Sequence, residues 1–330
     1  MSLIRAERRR FIKRRMTLWM FVIGVVILGA VTAGLAMTHH KPTPAVVAAA
    51  QAEADRVYQQ EMRNWEQYKA ACQAQAGPEA ELKCQGPQRD WFTAENFMPP
   101  QFDFKHQYGD ILIIWAAIIS MVGFVLGATF VGAEWSSGSM MNLLTWRPKR
   151  MNVLGTKLGV LLGWMTAVGV GTFALWTAGL YAVGKISGNT NGMTSGTWQS
   201  FGLAGVRGVA MILAFSALGF GLASLGRHTA LALGVAIAVV IVGQIGLGIV
   251  LNLANVQFAE SYLIPVHMYA WLNKQVVLQD FSGMVRCTPT GCDSPPEMVV
   301  SYTHSGPVAL GILLVVLAAA FWAMRRRDVA

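Results

Sequence analysis

The chain has 330 residues, of which 54% are apolar and only 13% charged. Soluble domains carry about 25% charged residues, so an ordinary soluble enzyme is excluded. The formal charge of +9 is uneven: seven of the 26 basic residues, Arg5, Arg8, Arg9, Arg10, Lys13, Arg14 and Arg15, precede the first apolar run. Beside a spanning helix such a cluster reads as a signal that holds this end in the cytoplasm, not as a nucleic-acid surface.

The first segment, 1–16, is followed by an uncharged run at 17–38, and further runs fall at 111–131, 158–184, 208–226, 230–251 and 305–324. Each is near the length of about 20 residues that crosses about 30 Å of hydrocarbon. The run at 17–38 exceeds the apolar core of about 7–15 residues of a cleaved signal peptide, and reads as a retained anchor. The sequence therefore predicts an all-α integral membrane protein with six transmembrane helices, its partner on every side being the lipid bilayer. An even number of spans puts both termini on one side. Fifteen of the 26 basic residues lie in the short segments of that side, including Arg227 and the tail 325–330. The positive-inside bias makes both termini cytoplasmic. By the same parity Asn191 is outer and His228 inner.

The first outer loop, 39–110, is too long for a simple connection. Within 45–75 the residues Tyr58, Met62, Trp65, Tyr68 and Cys72 recur at steps of three and four, which predicts an amphipathic helix outside the membrane. Packing on its own loop and service as a lid or partner surface are both open to it. A second long outer segment covers 252–304. All four cysteines fall in these two loops, on the side where disulfides persist. Four cysteines allow three pairings, and proximity favours Cys72 with Cys84 and Cys287 with Cys292. The outer histidines show no metal-ligand spacing, so no metal site and no catalytic residue is expected. Arg207 is expected to snorkel to the outer interface from the end of its span.

The spans hold no acidic or basic group at depth, which argues against a proton- or sodium-driven carrier. No GxxxxGK[ST] phosphate loop is present, so any nucleotide energy has to come from a separate subunit. The inner segment 132–157 mixes charge with apolar residues. Ser136 and Ser137 are placed to cap a short helix with Met140, Leu143 and Leu144 on one face, and Met151 and Leu154 follow on one side. Such a face has to bury against lipid or protein.

The pattern Glu134, Gly138-Ser139, Leu143-Leu144, Pro148, Arg150 and Lys157, directly after the second span, resembles the signature of ABC-2-type permeases, the membrane subunits of ATP-binding-cassette exporters. Their common form is Glu, Gly-Thr, Leu-Leu, Pro, Arg and Lys; Ser139 in place of Thr keeps the hydroxyl. The resemblance implies that 132–157 is a coupling segment seated in a cleft of an ABC ATPase. Its docking residues would be Glu134, Ser137, Gly138, Met140, Leu143, Leu144, Arg147, Pro148, Arg150 and Lys157. It further implies a connecting helix over 1–16, a second permease subunit in a homodimer or heterodimer, and ATP and Mg held by the partner, with no cofactor bound by this chain. In relatives spans two and five line the path, which points loosely to Trp115, Ser120, Met121, Phe124, Gln244 and Asn252, although helix packing is the more ordinary role for each.

The leading function is thus the permease subunit of an ATP-driven exporter in a bacterial plasma membrane. Aromatic and Met-bearing walls without charge suit an amphipathic or lipid-like substrate. The alternative is a membrane sensor that binds a ligand with its outer loops and signals through the inner one.

Overall fold

The computed structural model describes residues 3–76, 84–99, 101–146, 149–280, 287–288, 291–292 and 295–326. An amphipathic helix α1 (Leu3–Lys13) leads into α2 (Arg15–Thr38), the first of six helices long and apolar enough to cross a membrane. The others are α4 (Phe104–Ser136), α6 (Arg150–Ser187), α7 (Ser195–Gly226), α8 (Thr229–Leu253) and α10 (Tyr302–Arg326). Shorter helices are α3 (Pro44–Ala76), α5 (Ser139–Trp146) and α9 (Ile264–Asn273).

All six predicted apolar runs lie within these helices, but the helices overrun them. With 38 residues α6 extends about 57 Å, nearly twice the hydrocarbon thickness. A helix leaving hydrocarbon keeps its own backbone hydrogen bonds, and hydropathy falls before the helix stops. Lys157, expected in a loop, is therefore part of α6.

The chain forms two compact units, residues 1–31, 105–180 and 191–330 in one and residues 32–104 with 181–190 in the other. At the centre of the first, α4 and α7 cross. In each, 56% of the most apolar stretch is buried. Their backbones meet because Gly127 and Gly219 carry no side chain: a Cβ on Gly127 would run into the Ser216 carbonyl, and one on Gly219 into that of Phe124. Trp115 fills the neighbouring layer, with no exposed surface and its indole N–H donating to Thr172 Oγ1 at 3.0 Å. By contrast, α8 is largely uncovered, with Ala232 and Gly248 its buried residues.

Helix α8 contains one π-helical turn, Ile241–Gly246. In that turn Gln244 Oε1 accepts the N–H of Ile264 at 2.7 Å and so caps α9. The other end of α9 is held by Arg207. This residue lies inside α7, not at its end, and its Nη1 donates to the carbonyls of Leu272 and Trp271 at 2.6 and 3.3 Å. Trp271 returns a bond from its indole to the Arg207 carbonyl at 2.9 Å. The guanidinium thus also serves as a cation at a helix C-terminus, where unpaired carbonyls concentrate negative charge. After α9, strands β1 (Gln275–Gln279) and β4 (Glu297–Ser301) pair antiparallel, with Val277 opposite Val299. Ala270, Leu278 and Val300 form the small core beneath them.

Tyr269 on α9 donates its phenolic proton to Asp110 Oδ1 at 2.5 Å. That bond, then burial and the carboxylate charge, push the phenol up to about 12. The protonated phenol is the favoured form, so this contribution is complete below the ordinary tyrosine value near 10 and is lost as pH rises through about 12. Following phenolate absorbance is expected to reveal one late-titrating tyrosine that moves toward ordinary values in Asp110→Asn.

In the second unit α3 packs on its own loop. Tyr58 faces the Phe92 ring at 5.6 Å, the Arg89 guanidinium lies 5.0 Å over Tyr58 while pairing with Asp55, and Gly86 lies against the Trp65 indole. Tyr68, the remaining aromatic of the predicted stripe, is largely exposed. Cys72 and Cys84 are disulfide-bonded with Cα atoms 6.0 Å apart. In the short pair β2 (Cys287–Thr288) and β3 (Gly291–Cys292) the register sets Cys287 opposite Cys292; their side chains lie outside the described residues. Non-reducing peptide mapping is expected to recover Cys72 with Cys84 and Cys287 with Cys292. Replacing Cys72 and Cys84 with Ala is expected to lower this unit's stability by about 3 kcal/mol, the chain-entropy value for a loop of this size.

Candidate functional site

Helix α1 is rich in arginine, yet its inward face carries an acid. Glu7 and Phe11, one turn apart, are both buried, whereas Arg5, Arg8, Arg9 and Ile12 face outward. Glu7 meets Lys157 of α6, whose Nζ lies 2.6 Å from Glu7 Oε2 with no exposed surface. The same ammonium is 2.7 Å from Glu134 Oε2 at the end of α4, an ion pair outside hydrogen-bond alignment. Arg14, at the junction of α1 and α2, completes the group: its Nη2 is 3.2 Å from Glu134 Oε1, and its Nη1 donates to the Thr129 carbonyl at 3.1 Å.

Phe130 forms the apolar floor. The Phe11 ring meets it edge-on at 5.1 Å, and Lys157 Nζ and Arg14 Cζ lie 5.0 and 5.4 Å from its centroid. The two carboxylates share the enclosed Lys157 and the partly covered Arg14, and the exposed Arg10 reaches Glu7 Oε1 at 3.5 Å, so each buried acid has a cation, the condition under which charge is tolerated away from water. Four segments, α1, the start of α2, the end of α4 and the first turns of α6, are thereby joined.

The turn from α4 to α5 grows out of this cluster. Gly138 adopts φ +70°, the left-handed region that reverses the chain without strain in glycine. The hydroxyls of Ser137 and Ser139 donate to the Glu134 carbonyl at 3.4 and 3.3 Å, and Ser136 donates to Ala133. The serines therefore close the C-terminus of α4; the expected capping of the next helix by Ser136 and Ser137 is not what they do. On α5, Met140 and Leu144 turn inward, at 0% and 6% exposure, while Met141 and Leu143 are half-buried and Asn142 and Thr145 exposed. The turn between α7 and α8 joins the same end: the Arg227 guanidinium stacks over Trp135 at 4.9 Å, and Gly132 abuts Thr229.

Of the sequence-identified docking residues, Glu134, Lys157, Met140 and Leu144 are thus internal, Leu143 is half-buried, and Ser137 and Gly138 form the turn. Arg150 begins α6, and Arg147 and Pro148 lie outside the described residues. Sequence reasoning missed Glu7, Arg14 and Phe130. Glu7 had a signal, being the sole acid among the first 52 residues and one turn from Phe11. Of the six path candidates, Trp115 and Ser120 are enclosed within the bundle, Phe124 is half-buried, and Met121 is 72% exposed. Gln244 caps α9, and Asn252 bonds back to the Gly248 carbonyl at 2.9 Å.

Among the described residues no three His, Cys, Asp or Glu side chains gather into a metal-binding group. The arrangement ties α1, α4 and α6 together through paired charges. The family described as ABC-2 family transporter protein matches residues 1–329. No curated protein matches the chain.

Proposed function

Because the chain belongs to the ABC-2 transporter family and is thus a membrane permease subunit of an ABC transporter, we propose that it exports an amphipathic or lipid-like substrate from the cytoplasm or inner leaflet, driven by a separate ATPase that docks on α5. The observation that carries this reading is the buried cluster of Glu7, Arg14, Glu134 and Lys157 next to α5. A push on α5 passes through the short turn at Gly138 to α4, and the ion pairs make α1 and α6 move with it. Because Lys157 is fully enclosed, withdrawing it from the two carboxylates would leave its charge uncompensated, which couples α6 to α1 and α4.

Both termini are assigned to the cytoplasm of a bacterial cell, on the positive-inside bias. ATP and Mg belong to the partner ATPase. The uncovered α8 supports a second permease subunit, identical or related, since a face that long is covered in an assembly or by lipid alone. Co-expression with an ATPase encoded beside this gene, followed by purification in mild detergent, tests the reading. Retention of the ATPase and substrate-stimulated hydrolysis are expected; a chain that retains no ATPase and exports nothing overturns it.

A further inference from the structure

A groove of about 820 Å³ runs between α1 and the first half of α6. Its polar groups gather at one end, where Arg8 of α1 faces Asn152 and Thr156 of α6. Beyond them the lining is apolar and flat, with Gly159 and Gly163 as its floor and Trp164 as a wall. A Cβ added to either glycine would meet nothing within 4 Å, so no other part of the chain fills the space. From Asn152 to Gly163 the helix rises about 16 Å, close to half of the hydrocarbon thickness of about 30 Å. Arg8 has no acidic partner among the described residues, and the Thr156 hydroxyl is already spent on the Asn152 carbonyl at 2.7 Å.

An occupant complementary to this groove carries negative charge at one end and an apolar tail one leaflet long. We propose that the groove holds one anionic phospholipid of the leaflet that α1 meets, its phosphate at Arg8 and an acyl chain along Gly159 and Gly163. A second copy of the chain would have to bring an acid to Arg8, whereas an anionic headgroup supplies that charge itself. The site is independent of what the permease exports, and it fixes α1, and with it Glu7, to the membrane surface. Basic residues near a bilayer surface attract anionic lipid by about 1 kcal/mol each, which is about fivefold in affinity.

Native mass spectrometry of the full-length protein, reconstituted in equal parts phosphatidylglycerol and phosphatidylcholine, reads the occupant directly. The wild-type chain is expected to retain phosphatidylglycerol in preference, and Arg8→Gln to reduce that preference about fivefold. Arg9→Gln, which lies outside the groove, is expected to leave it unchanged. Gly159→Leu fills the floor with a better helix former and is expected to expel the retained lipid at unchanged thermal stability; Gly163→Leu serves if the first variant does not fold. Equal retention of both lipids by the wild type overturns the proposal. So does undiminished phosphatidylglycerol in the filled variants, which would mean attraction to a basic helix alone, or disulfide cross-linking between chains through Gly163→Cys, which would place a second copy there.

Discussion

Replacing Lys157 with Met is expected to destabilise the chain by about 3–5 kcal/mol, because the ammonium is the only group that touches both Glu7 and Glu134 and neither carboxylate has water to turn to. Thermal unfolding in detergent and the yield of folded protein measure this. The charge-neutral double variant, Lys157→Met with Glu7→Gln, is expected to recover much of the stability, since Glu134 keeps Arg14 as its partner. In the exporter reading it is also expected to hydrolyse ATP with export diminished, as α6 is no longer held to α1 and α4 by charge. A double variant with full stability and full export would mean that the cluster only packs, and that displacement reaches α6 by another route.

The second large effect concerns α5. Leu143 is half-buried on the surface of this chain, whereas Leu144 is turned inward. Burying a Leu side chain is worth about 1.5–3 kcal/mol, so Leu143→Asp is expected to weaken retention of the ATPase at least tenfold while the permease keeps its melting temperature. Leu144→Asp is expected to do the reverse, placing a carboxylate in the interior and lowering the yield of folded protein before docking can be measured. Size-exclusion chromatography of the co-expressed subunits, with melting curves of the permease alone, separates the two. Full ATPase retention by Leu143→Asp would remove α5 from the interface and leave the segment lying on lipid.

Much of the architecture is legible in the sequence because membrane spans are specified by a one-dimensional property, a run of apolar residues of fixed length. The six runs and the amphipathic helix in the first loop all lie within observed helices. Hydropathy measures solvent preference along the chain, however, and is blind to what happens when two charged segments distant in sequence cancel one another. Lys157 and Glu134 read as docking residues for that reason, although both touch a third charged segment through Lys157, which meets Glu7 150 residues away. The same blindness applies to α5: spacing places Met140, Leu143 and Leu144 on a common arc, but only the neighbouring chain decides which part of the arc is inside. Arg207 shows a further limit: its place at the end of an apolar run points its charge toward water and says nothing of the carbonyls at the end of α9 that also receive it.

The π-helical turn at Ile241–Gly246 has a geometric consequence for whatever lies beside α8. One additional residue in the turn shifts the angular phase of everything after it by about 100°, the rotation per residue of an α-helix. Side chains before Ile241 and after Gly246 that would share a stripe in an uninterrupted helix therefore point in different directions. A straight neighbouring helix can follow one half of α8 only and has to diverge from the other. Deleting a single residue from the turn would bring the two stripes back into line, at the cost of moving Gln244 off the backbone of Ile264 and releasing the start of α9.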